Sequence, residues 1–217
     1  ILIVSALQTW AIHAQQGGYN LGSIADSLKQ NAYSIVQEYN AYVNIHSKEE
    51  GEAQFRQVIT VLDEKGKRDA DFVYFADKFR TFDGFKGELL DASGKRVMTL
   101  KKSDLKSSSI SDGLASDDKT YFYNCTYEKY PYTIVYEWDM KYKYGFLAFP
   151  NFIPVTSFNQ SLVNAQYTLV IPKDMDIDYR MSAGTDKPTI QKEEKSDTYQ
   201  WKWKSVCANE HERFGPS

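Results

Sequence analysis

Cysteine is scarce in this 217-residue chain, which contains only Cys125 and Cys207. Two cysteines are too few for a disulfide framework. A single bridge would close a loop of about 80 residues whose ends the sequence alone cannot bring together. A pair of free thiols is the simpler reading. The three histidines, His13, His46 and His211, lie far apart, so no Cys/His cluster has the spacing of a metal site. No glycine-rich phosphate loop is present. Neither sign of charge is in excess: 26 Lys and Arg stand against 29 Asp and Glu, interspersed along the chain. That balance leaves no electrostatic footprint for nucleic acid or an anionic membrane surface. No apolar run is long enough to span a bilayer as a helix, and no cofactor motif is recognisable.

Aromatic residues are plentiful, with 16 Tyr, 12 Phe and 4 Trp. Such side chains suit a pleated, half-buried surface, so the excess favours strands over helices. The length suffices for one self-sufficient core, burying roughly 70% of the unfolded surface. At the start, Ile1 to Leu7 is apolar, Trp10 to Ala14 follows, and Gln15-Gln16-Gly17-Gly18 is polar. Residues 1–16 read as the remnant of a secretory signal peptide, which implies export and no transmembrane segment in the mature chain.

Further along, Ser23-Ile24-Ala25-Asp26 has the form of a capping box, with Leu21, Ile24 and Leu28 on one helical face. This predicts one short N-terminal helix. Beyond Asn31 the period changes to two. Tyr39, Ala41, Val43 and Ile45 alternate with Glu38, Asn40, Asn44 and His46, as a strand with one wet face does. Further strands are predicted at Phe55–Leu62, Phe72–Phe75, Phe79–Leu90 and Val97–Leu100. Others fall at Thr120–Tyr127, Tyr132–Met140, Gln166–Ile171, Asp178–Ser182 and Tyr199–Lys204. Asp63-Glu64-Lys65-Gly66-Lys67 reads as a hairpin turn, and the serine-rich stretch 101–118 as a loop. The expected fold is mainly β: an antiparallel β-sandwich of about ten strands forming one domain over residues 19–206. Residues 207–217 read as an exit linker toward a further C-terminal domain.

Searching for chemistry returns little. Cys125 lies in a predicted strand and Cys207 in the exit segment, neither with a helix-opening context that lowers a thiol pKa. Asp174, Asp176 and Asp178 alternate but lack the glycine and terminal glutamate of an EF-hand loop. These and the pairs Asp117-Asp118 and Glu193-Glu194 read as solvated turn charges. In Tyr132 to Met140, the positions Tyr132, Ile134, Tyr136, Trp138 and Met140 share a face, which reads as core. Tyr142 and Tyr144, flanked by lysines, are expected in an exposed patch. With Trp201 and Trp203 they form the candidate ligand or partner surface. Tyr130-Pro131 is a candidate cis bond.

The run Tyr130-Pro131-Tyr132-Thr133-Ile134-Val135-Tyr136-Glu137-Trp138 resembles a motif of the family catalogued as domain of unknown function 3857. Other parts fit in order. Asp26-Ser27-Leu28-Lys29 precedes the first strand, and Val58-Ile59-Thr60-Val61-Leu62 leads into Lys65-Gly66. Asp91-Ala92-Ser93-Gly94-Lys95 is followed by Leu100-Lys101-Lys102-Ser103-Asp104-Leu105, and Ala208, Glu212, Phe214 and Pro216 close the series. The resemblance spans about Ser23 to Pro216. It implies a β domain without catalytic residues, lying between a signal peptide and a transglutaminase-like domain in exported proteins of Gram-negative bacteria. The expectation is therefore a non-catalytic accessory domain in the periplasm or at the cell surface. It would position or recognise a protein or glycan substrate for the downstream transglutaminase-like, papain-like partner domain. The alternatives are a glycan-binding module of the cell envelope and an independent enzyme.

Overall fold

The computed structural model describes residues 19, 21–109, 118–145, 150–182 and 185–210. The leader expected over residues 1–16 and the tail 211–217 lie outside the described residues, as does Asp117. Eleven strands are found among the described residues, against about ten expected. They are β1 Ser34–Ile45, β2 Gly51–Val61, β3 Phe72–Ala76, β4 Arg80–Leu90, β5 Arg96–Lys101 and β6 Lys106–Ser109, then β7 Lys119–Tyr123, β8 Tyr132–Tyr142, β9 Gln160–Pro172, β10 Thr189–Lys192 and β11 Ser196–Val206. Among the described residues the single α-helix, α1, is the four-residue Asp26–Lys29, and the remaining helix is short 3-10 turns. Its N-cap is Ala25, with no side-chain capping bond, so the capping box read at Ser23 does not form. The helical face does hold: Ile24 and Leu28 are buried in a small cluster with Ala32 and Ile35.

The strands make two sheets. One has eight strands in the order β10-β11-β9-β1-β2-β8-β4-β5, and the other has three in the order β3-β7-β6. Pairing is antiparallel except between β1 and β9, which run parallel. The purely antiparallel expectation is corrected there. Parallel neighbours need a long connection between them, and residues 46–159 supply it. The expected hairpin at Asp63–Lys67 is also absent. β2 pairs with β1 and β8, while a 3-10 helix over Glu64–Ala70, capped by the Asp63 side chain, carries the chain to the second sheet. Asp178–Ser182 forms no strand, and β6 and β10 lie where none was expected. Both of those are short edge strands exposed at every position, so no buried face marks them in the sequence.

One face of the large sheet is the core. Along β8, Tyr132, Ile134, Tyr136, Trp138 and Met140 are all buried, as their spacing predicts, and Tyr142 continues the row. The small sheet packs on them. The Phe72 ring of β3 lies 5.2 Å from Tyr136, 5.3 Å from Trp138 and 4.7 Å from Phe85, and Tyr121 of β7 stacks 4.8 Å from Phe82. Each such aromatic pair adds about 0.5–1.5 kcal/mol beyond the area it buries. The Tyr130-Pro131 bond is cis. Both cysteines are free thiols, Cys125 buried and Cys207 exposed.

Candidate functional site

The ring contacts of the small sheet fall on β2, β8 and β4. Over β9 and β11 the cover is irregular chain. Phe152 stacks on Tyr39 at 4.5 Å and lies 5.3 Å from both Tyr167 and Trp203. On the other side Tyr179 stands edge-on to Trp201 at 5.3 Å. The segments carrying Phe152 and Tyr179 do not close over the sheet. Between them lies a cavity of about 900 Å³, lined by residues that include Phe152, Tyr167, Met175, Tyr179, Met181 and Trp203. Its size falls at the upper end of the range for ligand pockets.

Two local features shape the opening. Ser205 adopts a left-handed backbone, φ 54°, and drops out of the ladder between β11 and β9. Val163 of β9 drops out with it, so the register is unchanged and Val206 stands opposite Leu162, both lining the same cavity as Trp203. Pro172 ends β9, and the chain from Met175 to Tyr179 turns back over the sheet. Ile153, Tyr179, Met181 and Val206 line the opening while keeping 38–58% of their surface exposed. Together they leave a patch of large apolar side chains exposed at the opening.

Of the four residues expected to form a surface, the structure brings Trp201 and Trp203 to this cavity. Trp201 is buried in its wall and Trp203 half-buried. Tyr142 is only 3% exposed and does not form an exposed patch. It continues the inward parity of β8, so Lys141 and Lys143 face out and the tyrosine between them faces in. Tyr144 is 77% exposed, in a left-handed turn at φ 66°, and does not line the cavity. Sequence reading missed Phe152, Tyr167, Met175 and Met181. The period-2 apolar positions of β9 were a signal for Tyr167. The other three lie in irregular chain, where no period exists to read.

Two basic residues, Lys48 and Arg180, and two acidic ones, Asp176 and Asp178, stand among the otherwise mostly apolar lining. Burial, then the neighbouring Tyr74, pushes the hydroxyls of Tyr39 and Tyr167 well above the usual tyrosine range, so neither supplies a tyrosinate base. The Tyr167 hydroxyl is buried without a hydrogen-bond partner among the described residues. Asp176 and Asp178 line the cavity but are exposed and belong to one segment, not two facing walls. No group of three or more His, Cys, Asp or Glu capable of holding a metal occurs among the described residues.

The thiol and imidazole that could have formed a nucleophilic pair are held apart. Cys125 donates its backbone N–H to Asp71 at 2.8 Å, near the Tyr132 end of β8. His46 lies 3.8 Å from Glu52, beside the Tyr142 end. The eleven residues of β8 between them span roughly 35 Å.

On the opposite face of the large sheet, Arg56 is 4% exposed. It pairs with Glu38 at 3.4 Å, contacts Glu137, and donates to the Tyr19 hydroxyl. Lys86 joins Glu137 from the next strand. This row crosses four strands, β1, β2, β8 and β4, and binds them by side chains.

The family model described as "Domain of Unknown Function with solved-structure structure (DUF3857)" matches residues 47–209. The chain belongs to the DUF3857 family. The match takes in both cavity-covering segments, β9 and β11. No curated protein matches this DUF3857 chain. Among solved structures it is similar to "a putative protease" from Parabacteroides distasonis, with 11% identity and a TM-score of 0.64 over 85% of this chain and 38% of that one. It aligns less well with "a putative nutrient binding protein" from Legionella pneumophila, at 9% identity and TM-score 0.43, covering 82% and 68% of the two chains. Legionella pneumophila aminopeptidase A gives 11% identity and TM-score 0.41, covering 82% and 20%. At these identities the Parabacteroides likeness is one of fold alone. The DUF3857 chain spans 38% of the length of that protein.

Proposed function

We propose that this chain is a non-catalytic β-sandwich module, one domain over residues 19–206, that recognises a substrate or partner for a catalytic domain in the same polypeptide. The observation that carries the reading is the cavity of about 900 Å³, aromatic-walled and rimmed by exposed apolar side chains, with no nucleophile–base pair among its described lining residues. Such a surface binds but does not transform. The resemblance to DUF3857 proteins supplies the context: export to the periplasm or cell surface and a transglutaminase-like or peptidase-like neighbour. A chain that spans a minority of the Parabacteroides protein fits the role of one part in a longer polypeptide.

The test uses the natural reading frame through and beyond Ser217. Three proteins are compared: the full-length form, a form lacking residues 19–206, and the 217-residue chain alone. The chain alone should show no peptide hydrolysis or acyl transfer. Removing it should lower kcat/KM on protein substrates by about tenfold or more while leaving a small chromogenic amide unaffected, because remote binding energy serves only large substrates. Turnover by the isolated chain would overturn the proposal, as would equal kcat/KM with and without it. The glycan-binding reading rests on the half-buried ring of Trp203 and the exposed Tyr179 at the opening. It predicts retention on envelope polysaccharide that Trp203→Ala abolishes.

A further inference from the structure

Beside the cavity the large sheet has an unfinished edge. β10 covers β11 only from Asp197 to Gln200, where Gln200 pairs with Thr189. The next residue of β10 would be Pro188, opposite Trp201. Proline has no N–H to donate and ends the ladder there. From Trp201 to Val206, all but Ser205 are paired on the β9 side. Among the described residues, no backbone hydrogen bond reaches it from the other side. In an antiparallel strand, alternate residues turn their N–H and C=O groups to each side. Among the described residues, this stretch therefore carries a row of backbone groups with no strand partner on that side.

The two faces of the row differ. Trp203 and Val206 point to the cavity, where Ile153 and Met181 also stand exposed at the opening. Lys202 and Lys204 point to the opposite face, both exposed and in no salt bridge among the described residues. A strand laid along this edge would place every second side chain over the apolar opening and the others beside the two lysines.

We infer that the free edge of β11, Trp201–Val206, takes up an extended peptide as an added strand, with apolar and acidic residues alternating along it. Main-chain hydrogen bonds to the edge hold the peptide. The cavity selects its apolar positions and the lysines its acidic ones. This deepens the accessory reading by naming the substrate class as polypeptide, and it rests on that reading.

The probe is a fluorescent peptide of about eight residues, alternating valine and glutamate, titrated with the 217-residue chain by anisotropy. Saturable binding is expected. N-methylating one alternate set of amides should abolish it and methylating the other set should not, because only one set faces the edge. Met181→Glu at the exposed rim should weaken binding about tenfold or more. Lys202→Glu with Lys204→Glu should weaken the acidic peptide by roughly tenfold and turn the preference to a valine–lysine peptide. Circular dichroism checks that each variant is folded.

Absence of binding, or equal effects of the two methylation patterns, would overturn the inference. So would an oligosaccharide that competes at the cavity while the peptide does not, or a dimer of this chain that Met181→Glu dissociates. If the peptide fails yet deleting the module still slows protein turnover, strand addition is wrong and the accessory role stands. If the peptide binds but deletion changes nothing, the role is wrong and the peptide site stands.

Discussion

Arg56 shows how one buried charge can organise a sheet. Its side chain is 5% exposed, and the carboxylates of Glu38 and Glu137 beside it keep 23% and 19% of their exposure. Removing the guanidinium while keeping its stem, Arg56→Met, leaves Glu38 of β1 without its cation and Glu137 of β8 with Lys86 alone. The cost should be about 2–4 kcal/mol, somewhat below that of breaking a fully buried pair because both carboxylates still meet water. Urea unfolding reads it. Adding Glu38→Gln should recover part of the loss, since Glu38 loses its cation while Lys86 still pairs with Glu137. Tyr167 gives the opposite sign. Its hydroxyl is buried without a partner among the described residues, so Tyr167→Phe should leave stability unchanged or raise it by about 1 kcal/mol. A loss of more than about 1 kcal/mol would mean that a bound water or ligand satisfies that hydroxyl.

The second sheet is held to the first chiefly through β3. Phe72 is 3% exposed and its ring meets Phe82, Phe85, Tyr136 and Trp138 across the two layers. Phe72→Ala should cost about 3–5 kcal/mol. Hydrogen exchange should then show β3, β6 and β7 opening before the eight-stranded sheet. If all strands lose protection together, the small sheet is not a separable unit. The same elements mark where the sequence was readable. β8 carries an unbroken period-2 row, so its core face could be named from Tyr132 to Met140. The row ran on to Tyr142, where flanking lysines disguised an inward residue. β6 and β10 have no buried position, hence no pattern. The cavity was half legible. Trp201 and Trp203 sit on a strand whose alternation is visible, but the cover from Phe152 to Val155 and from Met175 to Met181 is irregular chain placed by tertiary packing alone. The parallel pairing of β1 with β9 is a relation between distant segments, and no local pattern encodes it.

For the molecule as a whole, the abundance of buried tyrosine sets an upper pH limit. Burial is the leading cause raising Tyr39, Tyr136, Tyr142 and Tyr167 above the usual tyrosine range, with neighbouring ionisable groups adding to it. These residues tie β1, β8 and β9 into one core. A tyrosine is neutral when protonated, so each folded site keeps its proton at pH values where the unfolded chain has lost it. Above about pH 10 the unfolded state binds fewer protons, and stability must fall as pH rises. The contribution is complete below about pH 10 and is lost upward from there. Each such group adds up to about 1.4 kcal/mol per pH unit, so four together add at most about 5–6. A domain of ordinary stability, about 5–15 kcal/mol, should then unfold within about one to three units above pH 10. Tyrosinate absorbance and circular dichroism followed together provide the check. The buried set should ionise in one cooperative step that coincides with loss of the β signal. A full tyrosinate signal reached while the β signal persists would show that these hydroxyls are not sealed in the core, and that the layers packed on β8 and β9 open without unfolding.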